Sequence, residues 1–289
     1  MSEGTINSGT ISGGTLYLVA TPIGNLEDIT IRALNILKEV DLIAAEDTRE
    51  AMKLLNHFDI RKPMVSYYEH NKAEKGNYLV RLLLEGKDIA VVSDAGTPGI
   101  SDPGEDLVRL AMQSNIKVSM APGPVAAIMG LVLSGMPTGR FVFEGFLPMN
   151  KKQRKQRISA LKEEIRTIIL YEAPHKLTYT LNDLYEALGD RNITIARELT
   201  KRYEEIFNCT LSQAMDKYSA TSPRGEFVLI LEGTDAFELD REEKRKWENI
   251  SIKEHVDIYI SGGMDKKDAI KKAADDRGLS KRDVYNALL

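Results

Sequence analysis

Five short apolar runs in the first half of the chain each lead straight into a loop crowded with glycine, proline, asparagine or acid. The runs are Thr15–Ala20, Asp41–Ala45, Met64–Tyr67, Asp88–Ser93 and Ile116–Ser119. Helical patterns lie between them, near 28–40, 48–58, 72–86, 102–114 and 124–134, with Leu34, Leu37 and Val40 showing the helical period. Near-continuous apolar strands alternating with helices predict a parallel sheet covered on both faces. Such a sheet gathers the loops at its strand carboxyl ends on one edge, where ligands bind. Those loops are TPIGN (21–25), EDTR (46–49), EHN (69–71), DAGTPGISDPG (94–104) and APGP (121–124). Ordinary turn-making explains any one of them. It explains poorly an eleven-residue loop that holds two prolines, three glycines and two aspartates.

The second half is patterned differently. Strands are expected at 140–145, 166–171, 193–197, 204–209 and 226–232, and helices near 151–164, 175–188 and 210–219. Only six residues separate the 193–197 and 204–209 runs, which suits an antiparallel connection and hence a mixed sheet. A length of 289 residues suits about two domains. The expected division is a disordered lead-in at 1–14, an N-terminal α/β domain at 15–137, a second α/β domain at 138–233 and a C-terminal helical segment at 234–289. That segment starts with a charged connector, 234–249. Ser251 with Glu254 fits a capping box, and Ser280 with Asp283 fits a second helix start. Asp265–Asp276 and Ser280–Leu289, joined through Arg-Gly-Leu, form a helix-turn-helix-like pair. It reads first as an appendage covering a face, with nucleic-acid contact as the alternative.

Several chemistries are excluded by missing motifs. No G-x-G, GxxxxGK[ST] or G-x-S-x-G occurs, which removes the Rossmann, P-loop and hydrolase-elbow readings. One cysteine, Cys209, rules out an internal disulfide and a Cys-cluster zinc site, and the four histidines lack HExxH spacing, so no metal is expected. No apolar run approaches the roughly 18 residues of a membrane helix, and MSEGTINSGTISGG lacks the pattern of a signal peptide. A cytoplasmic protein without a membrane partner is expected.

The quoted loops, together with TPIGNLEDIT, AEDTR, EGFLP (144–148), YEAPHKL (171–177) and ARELTK (196–201), resemble the tetrapyrrole-methylase superfamily. Within it they resemble the branch that 2′-O-methylates a cytidine in the decoding region of small-subunit (16S) ribosomal RNA. The resemblance covers about Thr15 to Gly233, and the helical tail is also typical of the branch. It implies a homodimer that binds S-adenosylmethionine, without metal, in a cleft between two α/β domains. It also implies action on ribosomal RNA or the assembled small subunit, not DNA. Carried over by position, the cofactor wall would comprise Pro22, Asp94, Gly96, Thr97, Ile100 and Ser101, then Pro122, Val125 and Ala126. Tyr171 and Glu172 would follow from the second domain, with Glu198 and Gly225. Val125 departs from the small residue common in the branch, so no side-chain hydroxyl is available at that position.

A ribose hydroxyl is a poor nucleophile near neutral pH, so a positioned base should help remove its proton. Candidates on the strand-end loops are Glu46, Asp47 and His70, with Glu69 beside them. Asp47 is also suited to capping the following helix with Arg49 as ion-pair partner. His70 suits either a base or a hydrogen-bonding group for RNA. The net charge of −4, from 39 basic and 43 acidic residues, argues against a broad RNA coat. Yet Lys151, Lys152, Arg154, Lys155 and Arg157 fall within seven positions directly after EGFLP, without an acid. They are expected to neutralise phosphates, the alternative being a solvated helix start. Arg32, Arg49 and Arg197 are further RNA candidates, and Tyr67 and Tyr68 could stack on a base, one of the two facing the core. Two rival readings stay open: a methyltransferase acting on a small tetrapyrrole, and a non-catalytic RNA-binding assembly factor.

Overall fold

The computed structural model describes residues 13–219, 222–237, 241, 245–247 and 249–288. The lead-in expected at 1–14 lies outside them except for Gly13 and Gly14, and part of the 234–249 connector also lies outside. Strands β1 (Thr15–Val19), β2 (Leu42–Ala45), β3 (Met64–Ser66), β4 (Ile89–Val92) and β5 (Lys117–Ala121) form one sheet, ordered β3-β2-β4-β1-β5. Every pairing in it is parallel. Helices α1 (Ile31–Glu39), α2 (Thr48–His57), α3 (Lys72–Leu84) and α4 (Gly104–Gln113) are the crossovers. Their apolar stripes make two clusters, one around Leu37, Ile43 and Leu55, the other around Leu16, Leu79, Leu83 and Leu107. This is the two-faced cover that continuous apolar strands require.

The second sheet is mixed, as the short 197–204 connection predicts. Strands β6 (Phe141–Phe146), β7 (Thr167–Glu172), β8 (Asn192–Arg197), β9 (Glu205–Thr210) and β10 (Phe227–Leu231) lie in the order β6-β7-β10-β8-β9. Only β6 and β7 run parallel; β10 pairs antiparallel with β7 and β8, and β8 with β9. Helices α6 (Lys151–Ala160), α7 (Leu177–Leu188) and α8 (Leu211–Ser219) cover one face through Ile158, Leu181 and Leu211.

Helix α5 (Ala126–Ser134) covers the other face. Although it follows β5, its Ala127 and Leu131 pack against Ile169, Val228 and Ile230 of the second sheet. A Cβ on Gly130 would sit 3.0 Å from Ile230 and 3.2 Å from Val228, so glycine permits the approach. The sequence pattern assigns this helix to the first domain; its packing joins it to the second sheet. The β5–α5 loop therefore spans both halves of the molecule.

Beyond the sheets, helices Ile252–Ser261, Lys266–Arg277 and Lys281–Asn286 share a small core of Val256, Ala269, Ala273, Ala274 and Val284. Both expected caps are present: Ser251 and Glu254 form a capping box, and the Ser280 hydroxyl accepts from the Asp283 amide. Among the described residues, no helix is long and apolar enough to cross a membrane.

Candidate active site at the strand ends

The long loop after β4 folds around one side chain. The Asp102 carboxylate accepts from the amides of Gly99 (2.8 Å), Ile100 (3.2 Å) and Gly104 (2.8 Å). Its tightness forces left-handed backbone at Gly96 (φ 77°) and at Ser101 (φ 66°), a conformation that costs a non-glycine residue roughly 1–2 kcal/mol. Gly96 also exchanges two backbone hydrogen bonds with Thr21, and the Thr97 hydroxyl donates to the Pro124 carbonyl at 3.2 Å. The first, fourth and fifth strand-end loops are thus bound to one another. From the second sheet, the Tyr171 hydroxyl accepts from the Ala127 amide at 3.1 Å and so caps α5.

Between these loops and the second sheet lies a cavity of about 440 Å³. Of the residues carried over for the cofactor wall, Asp94, Gly96, Thr97, Ile100, Ser101, Val125, Ala126, Tyr171 and Glu172 line it. Pro22 lines a neighbouring cavity instead, and Pro122 is not in the lining. Glu198 and Gly225 stand outside it as a structural pair. A Cβ on Gly225 would come within 2.6 Å of the Glu198 side chain, and Glu198 accepts from the Glu226 amide and the Lys201 ammonium. Unforeseen contributors include Asp102, Phe146, Glu226, Phe227 and Val228. Asp102 is detectable as an acid set between Gly99 and Gly104. The β10 residues carry no local signal, because only the fold of the second sheet brings them to the loops.

The cavity has one sign of charge. Glu46, Asp94, Asp102, Glu172 and Glu226 line it, and no lysine, arginine or histidine among the described residues does. Glu46 is held above the ordinary carboxylate range, first by burial and then by the nearby Asp94 and Asp102 charges. Burial also raises Asp94, against the opposing hydrogen bond it accepts from the Asp47 amide. Asp47 behaves oppositely. It caps α2 through the Arg49 amide at 2.8 Å, pairs with the Arg49 guanidinium at 2.6 Å, and is pulled down to about 2 by those contacts. A carboxylate that acidic is a weak base, so the structure favours the capping role over the catalytic one. His70 does not line the cavity; it lies edge-on to Tyr68, 6.2 Å between centroids. Tyr67 is the core-facing tyrosine, donating to the Pro103 carbonyl, while Tyr68 is exposed.

The RNA candidates divide sharply. Asn150 caps α6, whose Lys151, Lys152 and Lys155 are exposed without ion-pair partners among the described residues. Arg154, on the inner side of the same helix, is 5% exposed. Its guanidinium donates to Asp183 at 2.5 Å and to the Thr180 hydroxyl at 2.7 Å, and that hydroxyl donates on to Glu172. The expectation that Arg154 contacts phosphate is therefore corrected: the guanidinium is an interior strut. Arg197 is likewise committed, to the Arg224 carbonyl and Glu205. Arg157 pairs with Glu144 and Arg49 with Asp47, both from exposed positions, whereas Arg32 is exposed without an ion pair among the described residues.

With this geometry in view, comparison with known proteins identifies the family. The description "Tetrapyrrole (Corrin/Porphyrin) Methylases" matches residues 15–215. The chain belongs to the tetrapyrrole methylase family. A relative from Halalkalibacterium halodurans called "Ribosomal RNA small subunit methyltransferase I" is 52% identical over 273 residues, covering 94% of each chain. A relative of the same name from Thermotoga maritima is 47% identical over 222 residues, which are all of that protein and 77% of this one. Among solved structures, uroporphyrin-III C-methyl transferase from Thermus thermophilus, complexed with S-adenyl homocysteine, shares the fold. Its TM-score is 0.55 at 16% identity, covering 76% of this chain and 97% of that one.

Proposed function

We propose that this chain transfers the methyl group of S-adenosylmethionine to the ribose 2′-hydroxyl of a cytidine in the decoding region of small-subunit ribosomal RNA. The observation that carries the reading is the cavity lined by carboxylates and free of cationic side chains among the described residues, at the edge where the loops converge. Its volume falls within the roughly 300–1,000 Å³ of small-molecule sites. A sulfonium cation suits that lining, whereas a cofactor bearing phosphates would meet repulsion. The mixture of apolar walls such as Ile23 and Phe146 with loop backbone suits a nucleoside. Relatives named for small-subunit ribosomal RNA support the substrate class, and the exposed α6 lysines supply phosphate partners.

Bound S-adenosylmethionine supplies a methyl group on an activated sulfur, so the protein's task is alignment for in-line attack. The Gly96–Thr21 and Thr97–Pro124 contacts hold the loop walls in register, and Tyr171 fixes the start of α5 against them. Glu46 is the base of this reading. Its raised affinity for protons, set by burial and the neighbouring acids, strengthens it as acceptor of the hydroxyl proton while leaving it ionised at higher pH. A homodimer belongs to the same reading, supported by the exposed Ile128, Val132 and Leu133 on the outer side of α5.

The test is Glu46→Gln. The substitution should lower the methyl-transfer rate by roughly 10²–10⁴-fold and abolish the acid limb of the pH–rate profile, with cofactor affinity kept within a few-fold. Retention of that limb would remove Glu46 from the role.

A further inference from the structure

The C-terminal helices carry a cationic surface that the cavity does not use. Lys266 and Lys267 open one helix, Lys281 and Arg282 open the next, and together with Ile270 and Tyr285 they line a depression of about 640 Å³. All four cations are exposed, and none has an ion-pair partner among the described residues. Among the described residues, no carboxylate lines the depression. The neighbouring acids are occupied by the fold: Asp265 accepts from the Lys267 and Asp268 amides, and Asp283 receives the Ser280 hydroxyl.

We propose that this depression is a second binding surface for the RNA substrate, gripping backbone phosphates; the proposal rests on the reading of the chain as an RNA methyltransferase. Cations in the first turn of a helix oppose its dipole, so two such pairs side by side do nothing for helix stability. An anion held between them balances the four side-chain charges, the helix ends being capped already by Asp265 and Ser280. Tyr285, 54% exposed beside the cations, offers a ring face to a base or ribose.

The experiment uses the full chain with Lys266, Lys267, Lys281 and Arg282 all changed to Gln, and separately Lys281→Glu with Arg282→Glu. Binding of a fluorescent small-subunit ribosomal RNA fragment is measured by anisotropy across a salt series. Neutralisation should weaken binding about tenfold or more and flatten the log–log salt dependence by roughly 0.7 for each phosphate that the variant no longer neutralises. The weakening should appear in KM for RNA more than in kcat, with S-adenosylhomocysteine affinity as in the parent. Trp247, the single tryptophan, stacks on His255 with centroids 3.6 Å apart, so its emission reports whether the C-terminal helices stay folded. Unchanged affinity and salt slope with native Trp247 emission would overturn the proposal, as would tighter binding of duplex DNA than of RNA by the parent. Methyl transfer by the parent protein decides the functional reading separately, because the binding arm does not depend on turnover.

Discussion

Helix α6 lies in the chain between the cavity residues Phe146 and Tyr171, yet its electrostatics are opposite to the cavity's. Five acids line the cavity, with no cation among the described residues, while α6 presents Lys151, Lys152 and Lys155 to solvent. A chain with a net charge of −4 thus carries two surfaces of opposite sign. In the proposed reading the concave acidic wall meets a small cation, and the exposed helix a polyanion. The two regions touch through Arg154, whose guanidinium leaves the cationic helix and reaches Glu172 of the cavity by way of Thr180.

That junction gives the largest expected effect. Arg154→Ala strands Asp183 and the Thr180–Glu172 pair, and removing one partner of a buried ion pair costs about 3–5 kcal/mol. Denaturant unfolding should show the destabilisation, and cofactor affinity should fall with it. If stability is unchanged and only RNA binding suffers, Arg154 is a surface cation after all and the two regions are independent. Next comes Gly96→Val. A side chain there faces Ile23 at 3.0 Å and the Pro124 carbonyl at 3.3 Å on left-handed backbone. About 2 kcal/mol of ligand affinity should go, read by calorimetry with S-adenosylhomocysteine, while RNA binding stays.

A smaller change sharpens the other side. Lys151, Lys152 and Lys155 together changed to Glu should weaken RNA binding roughly tenfold near 0.1 M salt and reduce the salt slope, with cofactor binding preserved. The smallest effect concerns His255, fully buried and accepting at Nδ1 from the Arg277 guanidinium. Burial and then Arg277 lower its proton affinity from the ordinary 6.5. The unfolded form therefore binds the extra proton first as pH falls, so stability of the C-terminal helices is complete above about pH 6.5 and declines below it. Trp247 emission followed from pH 8 to pH 5 should report loosening at the acid end, and a pH-independent signal would contradict the assignment.

Much of this architecture is legible in the residues themselves. The strand–loop–helix order of the first half dictates a parallel sheet with its loops on one edge, and nine of the carried-over cofactor positions meet in one cavity there. What the residues conceal is orientation. Lys152 and Arg154 look alike in a basic run, but Arg154 and Ile158 share a helical face and both are buried. That i, i+4 pairing with an apolar residue is the available signal. The place of α5 is hidden for a different reason: its sequence is apolar all round, so periodicity cannot say which sheet it covers. Glu226, Phe227 and Val228 reach the cavity only through antiparallel pairing of β10 with β7 and β8, a long-range event without local trace.

The proposed reaction delivers a methyl group from the acidic cavity to a ribose of small-subunit ribosomal RNA. It is tested most directly by incubating the protein with isotopically labelled S-adenosylmethionine and small subunits or their RNA, then digesting the product to nucleosides for mass spectrometry. Label is expected in 2′-O-methylcytidine and should be abolished in Glu46→Gln. Label on a nucleobase, label in a tetrapyrrole alone, or tight cofactor binding without transfer to RNA would contradict it.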